Sequence, residues 1–351
     1  MIKVNPFLRI NFFYEVPHLT LVNIDKNYKV SDFVVFVLFT VKNNSFDKKR
    51  LEDYICDETS YSITVDEIDT LIQANILIED ESILEFSCKS VWDSYNWSEV
   101  FNYLQSTKDY PFLDYESGKT FIEDQNMMES YIDDGSMPAE KRLINSSDKI
   151  SLLEDVKLDL PISEMYKWNT VKKTDLENIS IIFKSWFWYL GRNYLWFWRF
   201  PKKIVPSWWS RHPSEGYFFD FKWEFKKWWV FYYDGEENDL TLVNQYDDLR
   251  EQVNNISFNF LDTLDFEPKY WIWITSNLLR SMWRYRDSRS YRVLFNDVWH
   301  ITSVITDLLS SLWLTYTEFS FIEEDKFLES TNSKVVEDSI LEKPLYFILF
   351  R

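Results

Sequence analysis

Glycine is nearly absent from this chain, at 5 of 351 residues, where average usage near 7% would give roughly 25. Few positions are therefore free to adopt left-handed turns or to let a ligand lie against bare backbone, and no glycine-patterned dinucleotide fingerprint is present. Cysteine is scarce too. Cys56 and Cys88 form neither a CxxC pair nor a disulfide framework, so a reducing, cytoplasmic setting is the expectation. Three histidines cannot build a histidine-rich metal site, and no metal-ligand spacing is seen. The one long apolar stretch, residues 179–200, carries Lys184, Arg192, Asn193 and Arg199, too much polarity for a lipid-facing span. Met1–Pro6 lacks the apolar core and small-residue cleavage site of a signal peptide, so none is expected.

Acid and tryptophan are abundant. The formal net charge is −19; residues 1–150 carry −13 of it and the remaining 201 carry −6. Such a surface repels a phosphate backbone and argues against a nucleic-acid partner. Tryptophan occurs 17 times. Glycine and tryptophan together make 22 residues, close to the glycine count expected for this length. Some bacteria read the codon UGA as tryptophan and others as glycine. Translation with the wrong one of these codes would give this composition, so many of the tryptophans are read here as glycines.

Two segments follow from patterning. Residues 1–90 read as a small module: strands at Arg9–Tyr14 and His18–Ile24, a helix capped by Ser31, and a helix over Lys48–Ile55. A capping box follows at Thr64–Glu67, backed by Ile68, Leu71 and Ile72. Ile76–Ile78 and Ile83–Phe86 then flank an acidic turn and read as a hairpin. Helices followed by a β-wing predict a winged-helix-like domain, and its acidity disfavours DNA. Residues 91–351 form the second segment. There, residues 116–175 are acidic and weakly patterned and read as a surface connection. Thr174–Glu177 is a second capping box, predicting a helix to Leu190 that Gly191 stops. Glu215–Phe221 and Trp229–Asp234 read as paired aromatic strands. Phe295–Leu312 reads as an amphipathic helix ending at Trp313, where a left-handed glycine is strongly preferred, and Lys343–Phe350 as a terminal strand.

The stretch Pro206-Ser207-Trp208-Trp209-Ser210-Arg211-His212-Pro213-Ser214-Glu215 resembles the Pro-Ser-Gly-Gly-x-Arg-His-Pro-x-Glu loop of the FMN-dependent nitroreductase superfamily, in its SagB-type azoline dehydrogenase branch. The resemblance covers roughly residues 92–351 and continues in Asp297-Val298-Trp299-His300 and Ser311-Leu312-Trp313-Leu314. The family has glycine at all four positions, 208, 209, 299 and 313. Leu104 stands where the family's entry helix has histidine. No clean basic-Ser-basic phosphate clamp precedes Thr174; Lys167, Lys172 and Lys173 are the nearest residues.

The resemblance implies an α+β fold with a mixed sheet flanked by helices, an FMN cofactor and a homodimer. It implies dehydrogenation of an azoline to an azole in a modified precursor peptide, with cyclodehydratase proteins as partners and residues 1–90 as a leader-peptide module. Ser207, Trp208, Trp209, Arg211, His212, Glu215, Arg289 and Arg292 would hold the cofactor. The family's catalytic Lys-Tyr pair falls nearest to Arg284-Tyr285. An arginine orients charge but does not surrender its proton, so Tyr285 is the proton-transfer candidate. Internal ion pairs with the surplus carboxylates are the alternative role of the arginines over 280–292, and His300 reads as an ordinary helix residue. Two other readings stay open: a flavin-free docking scaffold, and a general nitro- or quinone-reductase.

Overall fold

A computed structural model describes the chain except residues 6, 12–15, 22–25, 45, 80–90, 108–119, 136–137, 139–147, 155–173, 188, 196–197, 208–210, 223–228 and 332–341. The chain separates into two compact units, Met1–Leu113 and Asp114–Arg351.

The first unit holds strands β1 (Lys3–Val4), β2 (Leu8–Asn11), β3 (His18–Leu21) and β4 (Lys26–Lys29). Helices α1 (Asp32–Asn43), α2 (Lys48–Glu58) and α3 (Val65–Gln73), strand β5 (Leu77–Ile78) and helix α4 (Ser98–Ser106) complete it. β2, β3 and β4 form an antiparallel sheet, and β4 escaped the sequence reading. The Thr64 capping box is present: its hydroxyl accepts from Glu67 N–H while the Glu67 carboxylate accepts from Thr64 N–H. Ser31 occupies the N-cap of α1 without a side-chain hydrogen bond, whereas Asp47 caps α2. β5 pairs with β1; residues 83–86, expected as its hairpin partner, lie outside the described residues. The core is aliphatic, with Leu19, Val37, Leu38, Leu51, Ile55 and Ile68 buried. Phe7 meets Phe101 of α4, ring centroids 5.6 Å apart.

The second unit contains α5 (Thr120–Asp134), β6 (Lys149–Ser151), α6 (Asp175–Trp186), β7 (Tyr189–Leu195) and β8 (Trp198–Lys203). Then come β9 (Ser214–Asp220), β10 (Trp229–Asp234), β11 (Asp239–Gln245), α7 (Leu249–Ile256) and β12 (Tyr270–Asn277). It closes with α8 (Leu278–Arg284), α9 (Tyr291–Ser311), β13 (Tyr316–Phe319), α10 (Glu324–Ser330) and β14 (Glu342–Phe350). Seven strands make one sheet in the order β13-β14-β12-β9-β10-β11-β6. Side chains alternate across it. Phe218, Tyr270, Ile272, Ile348 and Phe350 face α6 and α9, while Tyr217, Phe219, Trp271, Trp273 and Phe347 face α7 and α10. The fold is thus α+β with helices on both faces. Every described pairing in the sheet is antiparallel, where the sequence reading expects a mixed sheet. A short turn over 235–238 joins β10 to β11, which forces that pair to run in opposite directions.

Other expectations need correcting. Residues 116–175 are not only a surface connection, because α5 and the edge strand β6 lie within them. α6 keeps its Thr174 capping box but ends at Trp186 rather than Leu190. Gly191 stops no helix: it sits in β7 at a register irregularity, with φ 151°. Gly216 has a steric role, since a Cβ there would lie 2.1 Å from Phe187 Cε2. The expected terminal strand is present as β14, paired with both β12 and β13. No helix among the described residues is long and apolar enough to cross a membrane.

The end of α9 bears on the glycine shortage. Trp313 N–H donates to Ser310 O at 3.1 Å and Leu314 N–H to Leu309 O at 3.0 Å. These are the two bonds of a Schellman motif, which places Trp313 at the left-handed position usually held by glycine. Its φ is 56° and its side chain is 80% exposed, so the indole accepts backbone strain in return for almost no burial. Trp313→Gly is expected to stabilise the unit by about 1 kcal/mol, read as a higher urea midpoint with unchanged slope.

Candidate functional site

The Arg211–Glu215 segment enters the sheet where β9 begins, between β10 and β12. His212 takes a left-handed φ of 45° and donates its N–H to Ser207 Oγ at 2.9 Å. Ser207 in turn donates to Asp297 Oδ2 on α9 at 2.7 Å. Asn277 N–H, at the end of β12, holds Pro213 O at 2.8 Å. The segment is pinned from the long helix on one side and from the sheet on the other.

Below it lies a buried charge network. Arg280 of α8 pairs with Glu215 Oε1 and donates to His212 O at 3.0 Å, while Tyr232 of β10 donates to Glu215 Oε2 at 2.8 Å. Arg280 and Glu215 are both buried. One turn on, the Arg284 guanidinium pairs with Asp124 of α5 and stands 5.0 Å from the Tyr285 ring centroid. Deeper along the sheet, Glu342 accepts from Tyr217 at 3.0 Å and from Thr275 at 2.5 Å. Burial, reinforced by Glu342 and Glu215, pushes the Tyr217 hydroxyl well above its usual range.

Arg211 is the basic side chain most altered by its surroundings. Burial pulls its pKa down to about 9; Arg284 acts the same way, and Tyr285 and Asp124 act against it. Its guanidinium also lies 5.8 Å from the Trp283 ring centroid. Burial raises the Tyr285 hydroxyl above its ordinary value, against the opposing pull of Arg284 and Arg211. Tyr285 is protonated at neutral pH, as an unshifted tyrosine is, and the upward shift makes it a weaker proton donor.

The structure brings Ser207, Arg211, His212, Glu215, Arg284 and Tyr285 into one region linked through β9 and α8. Trp208 and Trp209 lie outside the described residues. Arg289 lies in a 3-10 turn (Ser288–Ser290) just before α9 and Arg292 in its first turn, both half-buried, with Arg289 N–H donating to Asp287 at 2.7 Å. The arginine run is thus divided, with Arg280 and Arg284 in internal ion pairs and Arg286 3.8 Å from the Tyr131 ring centroid. His300 is exposed. Trp299 is also exposed and lies 5.9 Å from Tyr346, centroid to centroid. Sequence reasoning missed Tyr232, Glu342 and Asp124. Tyr232 and Glu342 are recognisable only once β9, β10, β12 and β14 are neighbours, and Asp124 is one of five carboxylates on α5 with nothing local to single it out.

Arg280→Met leaves Glu215 buried without its counter-charge. Its expected cost is about 3–5 kcal/mol of unfolding free energy in urea, with partial recovery in the Glu215→Gln/Arg280→Met double variant.

No family model matches the chain, and no curated protein does. Some solved structures are similar to it. A protein of Anabaena variabilis described as a nitroreductase aligns with TM-score 0.48 and 15% identity, over 65% of this chain and 45% of that one. The chain therefore spans less than half the length of that protein. One from Ralstonia eutropha, described in the same words, aligns with TM-score 0.42 and 12% identity, over 61% of this chain and 95% of that one. The E. coli microcin synthetase McbBCD complex with truncated pro-MccB17 bound aligns with TM-score 0.41 and 11% identity, over 68% of this chain and 97% of the other.

Proposed function

We propose that the chain is an FMN-dependent oxidoreductase that dehydrogenates a heterocycle, azoline to azole, in a ribosomally made modified peptide. In this reading the natural protein carries glycine at positions 208, 209, 299 and 313. The observation that carries the glycine assignment is Trp313, whose left-handed φ of 56° and Schellman bonds are those of a glycine. The motif reading of Pro206–Glu215 is supported by how the segment is held. Ser207, His212 and Glu215 each make a defined contact that fixes its backbone, as a loop that presents backbone to a planar ligand requires.

The residues as written do not fit FMN. The cavity lined by Lys203, Ser207, His212, Asp297, Trp186 and Phe187 measures about 10 Å³, whereas small-molecule sites span roughly 300–1,000 Å³. Trp186 and Phe187 crowd it, with ring centroids 3.6 Å apart, and Trp186 Nε1 is buried without an acceptor among the described residues. No chemical step through a flavin is therefore drawn for the chain with these tryptophans. That same filled cavity favours a second reading, a flavin-free relative acting as a docking scaffold in a peptide-maturation complex with cyclodehydratase partners. A homodimer belongs to the enzyme reading.

Two measurements separate the readings. Intact mass of protein purified from the source organism is expected to fall below the written mass by the tryptophan–glycine difference at each misread codon. The recombinant chain with glycine at 208, 209, 299 and 313, and also at 186 to relieve the crowded cavity, is expected to copurify with flavin absorbance, and the chain as written to be colourless. Native protein of the written mass, or a glycine variant without flavin, would end the enzyme reading and leave the scaffold.

A further inference from the structure

Helix α5 is fastened to the second unit differently from α6 and α9. Residues 179–186 of α6 are all buried, and α9 buries Leu294, Val298, Ile301, Ile305 and Leu309. Among the described side chains of α5 only Met128 is buried, and Ile122 and Ile132 are exposed. The helix is tied instead to polar and aromatic groups of residues 283–286. Asp124 pairs with Arg284. Tyr131 meets Trp283 edge to face with ring centroids 6.3 Å apart, and the Arg286 guanidinium lies 3.8 Å from the Tyr131 centroid. Gly135 O, just past the helix, accepts from Trp283 Nε1 at 3.4 Å.

The same residues wall in Arg211 and Tyr285. The Trp283 indole is shared: the Arg211 guanidinium lies 5.8 Å from its centroid, and Tyr131 meets it as well. Arg284 stands against the Tyr285 ring while its guanidinium holds Asp124. Asp124 is near enough for its charge to act on both Arg211 and Tyr285. Arg211 is 8% exposed, so a ligand reaches its guanidinium only after a covering element moves. α5 is suited to that movement. Elements with little buried apolar area open at a fraction of the free energy of global unfolding. When α5 lifts, Asp124 and Arg284 both return to water, and their recovered hydration offsets the lost pairing.

We propose that α5 is a lid over Arg211 and Tyr285, latched by Asp124 on Arg284 and by Tyr131 against Trp283 and Arg286, which lifts to admit a ligand to the Arg211 guanidinium. What enters rests on the oxidoreductase reading, whereas the lid follows from α5 and residues 283–286 alone. Asp124 and Tyr131 are positioning residues in this arrangement: they set how often the site is open.

Two readouts on the full chain test this. In hydrogen–deuterium exchange, amides over 122–133 are expected to exchange about tenfold faster, or more, than those over 179–186. The second readout is the rate at which phenylglyoxal modifies Arg211, followed by peptide mass mapping. Tyr131→Ala removes the aromatic clamp without leaving a buried charge, and Asp124→Asn removes the latch. Each is expected to raise the Arg211 rate by about tenfold. Arg280, held by Glu215 and His212 O, is expected to stay unmodified in all three proteins. Thermal unfolding midpoints show that the variants fold, and Tyr131→Ala carries the test if Asp124→Asn does not. Exchange over 122–133 as slow as over 179–186, an unchanged Arg211 rate in folded Tyr131→Ala, or modification of Arg280 alongside Arg211 would overturn the lid. Neither readout involves flavin, so failure of the lid leaves the enzyme reading standing. A glycine-bearing chain that takes up no flavin ends the enzyme reading and leaves the lid.

Discussion

The second unit depends on one constraint: its central strands β9, β12 and β14 are covered on both faces. Every residue of β9 and β12 is buried, so aromatic and aliphatic side chains must pack in both directions at once. Apolar area removed from water on the two faces dominates the stability of such a sheet. It also dictates what the sheet can tolerate. Gly216 has no room for a side chain because Phe187 lies against it, and Trp186, Trp271 and Trp273 bury indole N–H groups without acceptors among the described residues. Each unsatisfied donor costs about 1–3 kcal/mol, so these tryptophans are held by their packing and against their polarity.

Charged groups at the head of this dry sheet are held in pairs. At the head of β9, Glu215 is satisfied by Arg280 and Tyr232, and Arg280 also grips His212 O. The ion pair thereby sets the position of the loop entering the strand, and the loop reaches α9 through Ser207 and Asp297. The same dryness weakens the Arg211 cation's hold on its proton and keeps Tyr285 in its neutral form.

Much of the layout was legible in the sequence because it is written in local rules. The capping boxes at Thr64 and Thr174 fix helix starts through hydrogen bonds between residues three apart, and the left-handed stop at Trp313 follows from how a helix ends. The paired aromatic strands β9 and β10 were readable from alternation. Three features were hidden for different reasons. β4 carries Lys26, Asn27, Tyr28 and Lys29 with little apolar pattern, so its pairing with β3 comes from the neighbour rather than from its own residues. α6 stops at Trp186 because the chain turns there into β7, although the apolar pattern runs on. The arginines over 280–292 look like one cluster in sequence, yet α8 aims Arg280 at β9 and Arg284 at α5.

The sequence by itself determined several helix starts and the aromatic strands, the acid excess, and the motif segment from Pro206 to Glu215 with tryptophan where the resembled family has glycine. Each of these is a property of composition or of residues a few positions apart, where backbone sterics and capping act. Only the tertiary structure decided which charges are paired, that Glu342 meets Tyr217 across 125 positions, and that the cavity beside the loop is filled. Those outcomes depend on which strands become neighbours, and burial on both faces of the sheet is a condition no local stretch of the chain can express.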